Sequence, residues 1–156
     1  MPTASPSHTT RHTTLHIETE HPTQFIDLTP HLTAFVEASG IRAGLLNAQS
    51  LHTTAAIVVN EHEPLLLTDM ARLLERLAPV DAIYRHDDIS LRSVNCALTE
   101  PPNGHSHCRS LLLGAAATVN VVDGALQLGR WQRVFLAELD GPRARDVSLL
   151  LLGDDR

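Results

Sequence analysis

Residues 118–152 read TVNVVDGALQLGRWQRVFLAELDGPRARDVSLLLL. Asp123-Gly124 separates two short strand-like runs, and this dipeptide is typical of a two-residue β-hairpin turn. Two further strands are predicted, from Trp131 to Leu139 and from Asp146 to Leu152. Because short connections join antiparallel neighbours, this stretch predicts a mostly antiparallel sheet.

The last two predicted strands are apolar on both faces. Val134 and Leu136 lie on one side of the first strand, with Phe135 and Ala137 on the other, and residues 149–152 are four leucines. A strand that is buried on both faces needs a second structural layer or a partner subunit to cover it. We therefore expect one or the other.

The upstream chain alternates predicted strands with helices. Thr29 as N-cap with Pro30 starts one helix that Gly40 ends, Pro64 starts a second that Pro79 stops, and a third runs from about His105 to Leu113. The predicted strands are an edge strand over residues 13–19 and others over 24–28, 44–51 and 53–60. We predict a single α+β domain over residues 12–156, a large mostly antiparallel sheet or sandwich with two to three helices, preceded by a disordered arm over residues 1–11.

Composition excludes several classes of function. The 156 residues carry a net charge of −6, which does not indicate a nucleic-acid partner. Every basic residue is arginine, which excludes Schiff-base lysine chemistry and a Walker-type phosphate lysine. The two cysteines do not form a disulfide framework. No membrane span or signal peptide is visible, so we expect no membrane partner and a cytoplasmic location.

Three of the ten histidines are candidate metal ligands: His52 at a strand start, His86 in the irregular segment 81–103, and His107 at a helix start. Their spacing is too wide for a compact zinc motif, so the pattern alone is only a weak signal of a metal site. His105 and His107 would point about 200° apart on a helix, so they converge only if the helix has not yet begun.

Other candidates are polar groups in apolar or loop settings. Glu138 shares a strand face with Val134 and Leu136, so it is either an acid–base group with a raised pKa or a buried acid paired with Arg143 or Arg145. Asn60 and Glu61 end the strand that His52 starts, and Asn60 shares its face. These two residues could be ligands, supporting partners or helix-cap groups.

Short motifs run in order along residues 13–153. They include His52-Thr53-Thr54-Ala55, Asn60-Glu61, Tyr84-Arg85-His86, Asn103-Gly104-His105-Ser106-His107, Leu128-Gly129 with Trp131-Gln132, and Glu138-Leu139-Asp140-Gly141-Pro142-Arg143. In this order and spacing the chain resembles the YjbQ family, also called uncharacterised protein family 0047 or secondary thiamine-phosphate synthase. One departure is Arg130, where many relatives have Thr.

The resemblance implies a compact α+β fold, a homotrimer and a site near subunit boundaries. It implies that His52, His86 and His107 bind a divalent metal. We expect this metal to be zinc, or Mg²⁺ if the substrate is a pyrophosphate. The family name implies condensation of hydroxymethylpyrimidine pyrophosphate with thiazole phosphate as a secondary activity. A metallohydrolase acting on a small phosphorylated or amide metabolite, and a non-catalytic metal- or metabolite-binding trimer, remain the alternatives.

The expected site has two further groups of residues around the histidines. Glu138 as proton shuttle, Arg143 as anion clamp and Glu61 are the candidate catalytic residues, and Glu138 and Arg143 are expected to face the same pocket as the histidines. Asn103-Gly104 at a helix N-terminus offers free N–H groups to an anion. The candidate substrate-binding residues are Asn60, Asn103, Gly104 and Tyr84.

Overall fold

A computed structural model describes residues 8–97 and 99–154. The strands of that part of the chain are β1 (Thr9–Glu18), β2 (Gln24–Asp27), β3 (Ala43–Ser50), β4 (Ala55–Glu61), β5 (Ala116–Val122), β6 (Ala125–Leu126), β7 (Gln132–Glu138) and β8 (Ala144–Asp154). Its α-helices are α1 (Thr29–Ser39), α2 (Pro64–Leu77) and α3 (Gly104–Leu113), and a short 3₁₀ helix covers Arg85–Asp87.

The strands form two antiparallel sheets. The larger sheet has the order β1-β8-β3-β5-β6 and the smaller has the order β2-β7-β4. Asp123 and Gly124, with φ of 53° and 81°, make the turn between β5 and β6, as the dipeptide predicted. The predicted α+β class with a mostly antiparallel sheet is confirmed.

The main core lies between the inner faces of the two sheets and α1. Leu46, Val147, Leu149 and Leu151 from the larger sheet meet residues of the smaller sheet and helix. These contribute Ile57, Val134, Leu136, Leu28, Leu32 and Val36. Alternation along each strand therefore places every second residue in this core.

A second layer covers the other face of the smaller sheet. Leu74 of α2 packs with Ala56 and Ala137, and Leu113 at the end of α3 joins them. This layer explains why β7 is apolar on both faces. The outer face of β8 is different, because Leu152 is 48% exposed on this single chain.

Three local predictions need correction. β1 begins at Thr9, because residues 9–11 pair with Leu151–Gly153 of β8, so the predicted arm reaches too far; residues 1–7 lie outside the described residues. Thr29 makes no side-chain cap, since its hydroxyl accepts a hydrogen bond from the Val134 amide of β7. His52 lies in the turn between β3 and β4, where it starts no strand and shares no strand face with Asn60.

Among the described residues, no helix is both long and apolar enough to span a membrane.

Candidate metal centre and adjoining cavity

His86, Glu100 and His107 form a cluster of possible metal ligands. One ligand atom from each residue lies within 4.8 Å of the other two, and all three side chains are half-buried. The rings of His86 and His107 meet edge to face, with centroids 4.5 Å apart. Three donors at these separations can surround a single ion with small adjustments.

Asp87 joins the two elements that carry the histidines. Its Oδ1 accepts hydrogen bonds from the backbone amides of Asn103 at 2.9 Å and Gly104 at 2.8 Å. The 3₁₀ helix that bears His86 is therefore fastened to the first turn of α3, which bears His107. A carboxylate also suits a helix N-terminus, where unpaired amides and the helix dipole favour negative charge.

Glu100 is held in place from both sides of its carboxylate. Nη1 of Arg92 donates to Oε2 at 2.9 Å, and the side-chain amide of Asn103 lies 3.5 Å from Oε1. The hydrogen bond from Arg92 is the main reason why the pKa of Glu100 is lowered, so the carboxylate is ionised near neutral pH. An ionised carboxylate is the form that binds a cation.

The chemistry of the cluster fits a metal ion. Nε2 of His86 is buried and has no hydrogen-bond partner among the described residues, although buried polar atoms in proteins normally have one. Burial lowers the pKa of His107, and the nearby His86 lowers it further, so its imidazole is neutral and can act as a ligand. Two imidazoles and one carboxylate form a common donor set of catalytic zinc sites.

A cavity of about 630 Å³ adjoins the cluster, and His107 is part of its wall. His107, Ser110, Leu111 and Gly114 follow one another along one side of α3 and form one wall of the cavity. The opposite wall is the end of β3 with the turn that follows it, and includes His52. The volume lies within the usual range for a small-molecule site.

His52 faces this cavity, but one of its ring nitrogens is already engaged. Its Nε2 accepts a hydrogen bond from the backbone amide of Asp146 at 2.8 Å. Burial lowers the pKa of His52, and the positive charge of Arg145 adds to this effect. The structure thus brings together two of the three predicted ligands, and the third donor in the cluster is Glu100.

Glu138 is fully buried and bound to Arg145. Nε and Nη2 of Arg145 donate to its two carboxylate oxygens at 2.7 and 2.5 Å. The amides of Leu139 and Asp140 and the hydroxyl of Thr19 also donate to Glu138. Desolvation raises the pKa of Glu138, but these hydrogen bonds outweigh it and the net pKa is lowered.

The expectation of a raised pKa for Glu138 is therefore wrong, because burial here comes with donors to both oxygens. Of the two interpretations that the sequence left open, the structure shows the buried ion pair, with Arg145 as the partner. Because Glu138 is 0% exposed, it does not face the cavity with the histidines. Arg143 instead pairs with Asp140 at 3.1 Å, and Asp140 also accepts a hydrogen bond from the Asn103 side chain.

The candidate substrate-binding residues separate into two groups. Tyr84, Asn103 and Gly104 lie at the start of α3, where the Tyr84 hydroxyl donates to the carbonyl of Pro79 and its ring fills the space that a side chain at position 104 would need. Asn60 and Glu61 end β4, whose other end lies beside α3. At about 3.3 Å per residue, six residues of strand place Glu61 roughly 20 Å away from that end.

Glu61 therefore belongs to a different part of this chain from the histidine cluster. It lines a separate pocket with His62, Glu63, Trp131 and Arg133. The prediction that Asn60 and Glu61 join the histidines rested on a strand face shared with His52. That face does not exist, because His52 is in the turn.

Sequence reasoning missed Glu100, Asp87 and Arg92. All three lie in the irregular segment between α2 and α3, where no hydrophobic period constrains the position of a side chain. One signal was available, because a loop of this length in a small domain is often functional, and its carboxylates could have been considered together with His86.

Comparison with known proteins agrees with the motifs found in the sequence. The family profile described as UPF0047 protein YjbQ-like matches residues 13–154. The chain belongs to this family. A UPF0047 protein of Methanothermobacter thermautotrophicus is 42% identical over 139 residues, which cover 89% of this chain and 90% of that protein. The UPF0047 protein YugU of Bacillus subtilis is 32% identical over 90% of this chain and 98% of its own length.

Solved structures show the same fold. A YbjQ-like protein of unknown function from Sulfolobus solfataricus superposes with a TM-score of 0.85 at 31% identity, covering 95% of this chain and all of that one. A hypothetical protein from Aeropyrum pernix gives a TM-score of 0.82 at 33% identity, covering 92% of this chain and 99% of that one. The range matched by the family profile, residues 13–154, includes His86, Glu100, His107 and the residues that line the cavity.

Proposed function

We propose that this chain is a metal-dependent enzyme. It binds one divalent ion, preferably zinc, between His86, Glu100 and His107, and hydrolyses a small molecule held in the adjoining cavity. The observation that carries the proposal is the convergence of three metal-binding side chains within 4.8 Å at the edge of a cavity. Catalytic zinc sites characteristically combine three protein ligands with a fourth position left for water or substrate.

The donor set favours zinc over magnesium. Imidazole nitrogen suits zinc, whereas Mg²⁺ prefers oxygen ligands in an octahedral arrangement. A zinc ion at this site would supply an activated water and polarise a substrate oxygen. The chain contributes the geometry: Arg92 orients Glu100, and Asp87 fixes the distance between the segments that carry the two histidines.

Thiamine-phosphate synthase activity stays a prediction of the family resemblance. A pyrophosphate substrate is usually held by arginine, lysine or Mg²⁺. Arg92 is bound to Glu100 and Arg143 to Asp140, and neither lines the cavity. The geometry therefore favours hydrolysis over synthesis. The thiamine-phosphate synthase reaction should be assayed beside the hydrolysis reactions as the competing activity.

We also propose that three copies of the chain assemble as a homotrimer. Besides the other subunits, the small-molecule substrate is the partner that each chain binds. Leu45 and Leu152 are paired across β3 and β8, and both are 48% exposed on the outer face of the larger sheet. Exposed apolar neighbours of this kind are typical of surfaces that bind another subunit.

Calorimetric titration of chelator-treated protein with ZnCl₂ tests the metal site. We expect one ion per chain. His86→Ala and Glu100→Ala should each weaken zinc binding by about 100-fold or more, since loss of even a supporting partner typically costs 10- to 100-fold. His31→Ala is the matched control, because His31 is exposed on α1, outside the cluster.

Turnover is then measured with the zinc-loaded protein against esters, amides, phosphate esters and the two thiamine precursors. Zinc-dependent hydrolysis that His86→Ala abolishes supports the proposal. Wild-type protein that binds zinc no more tightly than His86→Ala would contradict it.

A further inference from the structure

We propose that the substrate of the cavity is an uncharged carbonyl compound with an apolar body, an ester or an amide, whose carbonyl oxygen accepts a hydrogen bond from Nδ1–H of His52. The inference rests on the proposed function, since it assigns a substrate class to the same metal site. It follows from the charge of the cavity walls, their apolar surface and the tautomer of His52.

Among the described residues, no acid and no arginine lines the cavity to meet a multiply charged substrate. The residues that line it are Gln49, Ser50, Leu51, His52, Thr53, His107, Ser110, Leu111, Gly114 and Ala115, and none of these is an acid or an arginine. Behind this wall, the guanidinium of Arg145 is neutralised by Glu138. A diphosphate would bring several negative charges to a site with one divalent ion and no further cation, which disfavours this substrate class.

Apolar groups face the rest of the cavity. Leu51, Leu111 and Ala115 all line it. Leu111 is 84% exposed on this chain, so an apolar substrate group would gain contact by covering it. The walls therefore favour a molecule with a hydrophobic portion beside its reactive group.

The tautomer of His52 is set by its backbone partner. The amide of Asp146 can only donate, so Nε2 of His52 must be the acceptor in their 2.8 Å hydrogen bond. A neutral ring then carries its hydrogen on Nδ1. No other described residue forms a hydrogen bond with that nitrogen, which leaves it as a donor for a ligand in the cavity that His52 lines.

A neutral imidazole that donates to a carbonyl oxygen stabilises the negative charge that develops there during attack. In the reaction, water adds to the carbonyl carbon and the bond from that carbon to oxygen or nitrogen breaks. The leaving group departs with one proton from water, and the acyl group keeps the hydroxyl oxygen. Water is the only co-reactant.

The first experiment compares two probes on zinc-loaded protein by calorimetry, benzohydroxamate and inorganic pyrophosphate. Benzohydroxamate combines a metal-binding carbonyl with an apolar ring, and we expect it to bind at least about tenfold more tightly than pyrophosphate. Leu111→Asp should weaken benzohydroxamate binding by about tenfold or more, because the variant removes apolar wall and adds charge. Leu112→Asp is the matched control, since Leu112 is also exposed but does not line the cavity.

The second experiment reads the His52 tautomer directly. Long-range ¹⁵N–¹H spectra should show hydrogen on Nδ1 of His52 in zinc-free and zinc-loaded protein, and benzohydroxamate should shift that resonance. A zinc-loaded protein that prefers pyrophosphate, equal effects of the two leucine variants, or hydrogen on Nε2 of His52 would each overturn this inference. Absence of zinc binding would instead contradict the proposed function itself.

Discussion

Among the described residues, Glu138 accepts five hydrogen bonds, from Arg145, Thr19 and the backbone amides of Leu139 and Asp140. Arg145 in turn donates to Thr54 beside the cavity. The pair therefore links β7 and β8, one strand from each sheet, to the turn that carries His52. Its contribution is to the position of the cavity wall rather than to proton transfer.

Glu138→Gln should destabilise the fold by about 3 kcal/mol, because it removes one partner of a buried ion pair and leaves the Arg145 charge uncompensated. Urea unfolding at pH 7 measures this loss. Glu37→Gln is the control, since Glu37 is an exposed acid on α1. The zinc affinity of both variants should stay within about twofold of that of the wild type, because neither Glu138 nor Glu37 is one of the proposed metal ligands.

The same carboxyl predicts a pH dependence of stability. The pKa of Glu138 is lowered from 4.5 in the folded state, so its stabilising contribution is complete above that pH and is lost as the pH falls through the lowered folded value. The stability difference between wild type and Glu138→Gln should therefore shrink below pH 4.5. An unchanged difference down to the acid unfolding transition would argue against an ionised Glu138 in the folded protein.

For single residues, the sequence predicts which side chains are candidates for a site better than it predicts which residues they bond to. An acid among apolar strand residues is visible in residues 134–138, and both Arg143 and Arg145 are near it. The choice between them depends on how the chain turns after Asp140 and on the inward phase of β8, neither of which local sequence determines. His52 was found by its motif, but its hydrogen bond to Asp146 joins residues that are 94 positions apart.

The connection between the 3₁₀ helix and α3 is the element on which the proposed metal site depends. Asp87 caps the α3 N-terminus and lies next to His86. Asp87→Ala should lower the free energy of unfolding by about 1 kcal/mol, the usual cost of losing a helix cap. It should also weaken zinc binding by about tenfold, as expected when a group that orients ligands is removed.

Asp88→Ala is the matched control for Asp87→Ala. Asp88 is the next residue and is also an acid, but its carboxylate bonds to Ser90 in its own segment rather than to the α3 N-terminus. Thermal unfolding of both variants measures the loss of stability, and zinc titration measures the effect on the position of the metal ligands. Equal zinc affinity in the two variants would show that Asp87 has no part in placing the ligands.

The regular elements follow from the sequence because periodic patterns determine them. Gly40 ends α1 at φ of 75°, and α2 starts at Pro64 as predicted. The segment between α2 and α3 has no such period, and its course depends on contacts such as Arg92 with Glu100. His86 and His107 were predicted from the family resemblance, whereas Glu100, in the same irregular segment as His86, was missed because no periodic pattern fixes the position of its side chain.

The outer face of the larger sheet bears on the assembly of the molecule. If a homotrimer forms through Leu45 and Leu152, then Leu152→Arg should shift the mass in solution from trimer to monomer, because it buries a charge in an apolar contact. Multi-angle light scattering measures this. Leu65→Arg is the control, because Leu65 is 75% exposed on α2, away from this face. A monomeric wild type at micromolar concentration would contradict the proposed assembly.

Whole-molecule architecture is only partly contained in sequence patterns. The strands and the antiparallel hairpin were predictable, and a sandwich was one of the two architectures left open. Which strands share a sheet was not predictable, since β8 pairs with β1 and β3 far upstream. The cover over β7 turned out to be α2 and α3, while both a second layer and a partner subunit had been consistent with its apolar faces.

The central claim is that His86, Glu100 and His107 bind one metal ion. Anomalous diffraction at the zinc absorption edge, from crystals of zinc-loaded protein, tests it most directly. We expect one anomalous peak per chain between these three side chains, about 2.0–2.2 Å from each ligand atom. A peak centred on His52 without Glu100, or no peak between His86 and His107 at full zinc loading, would contradict it.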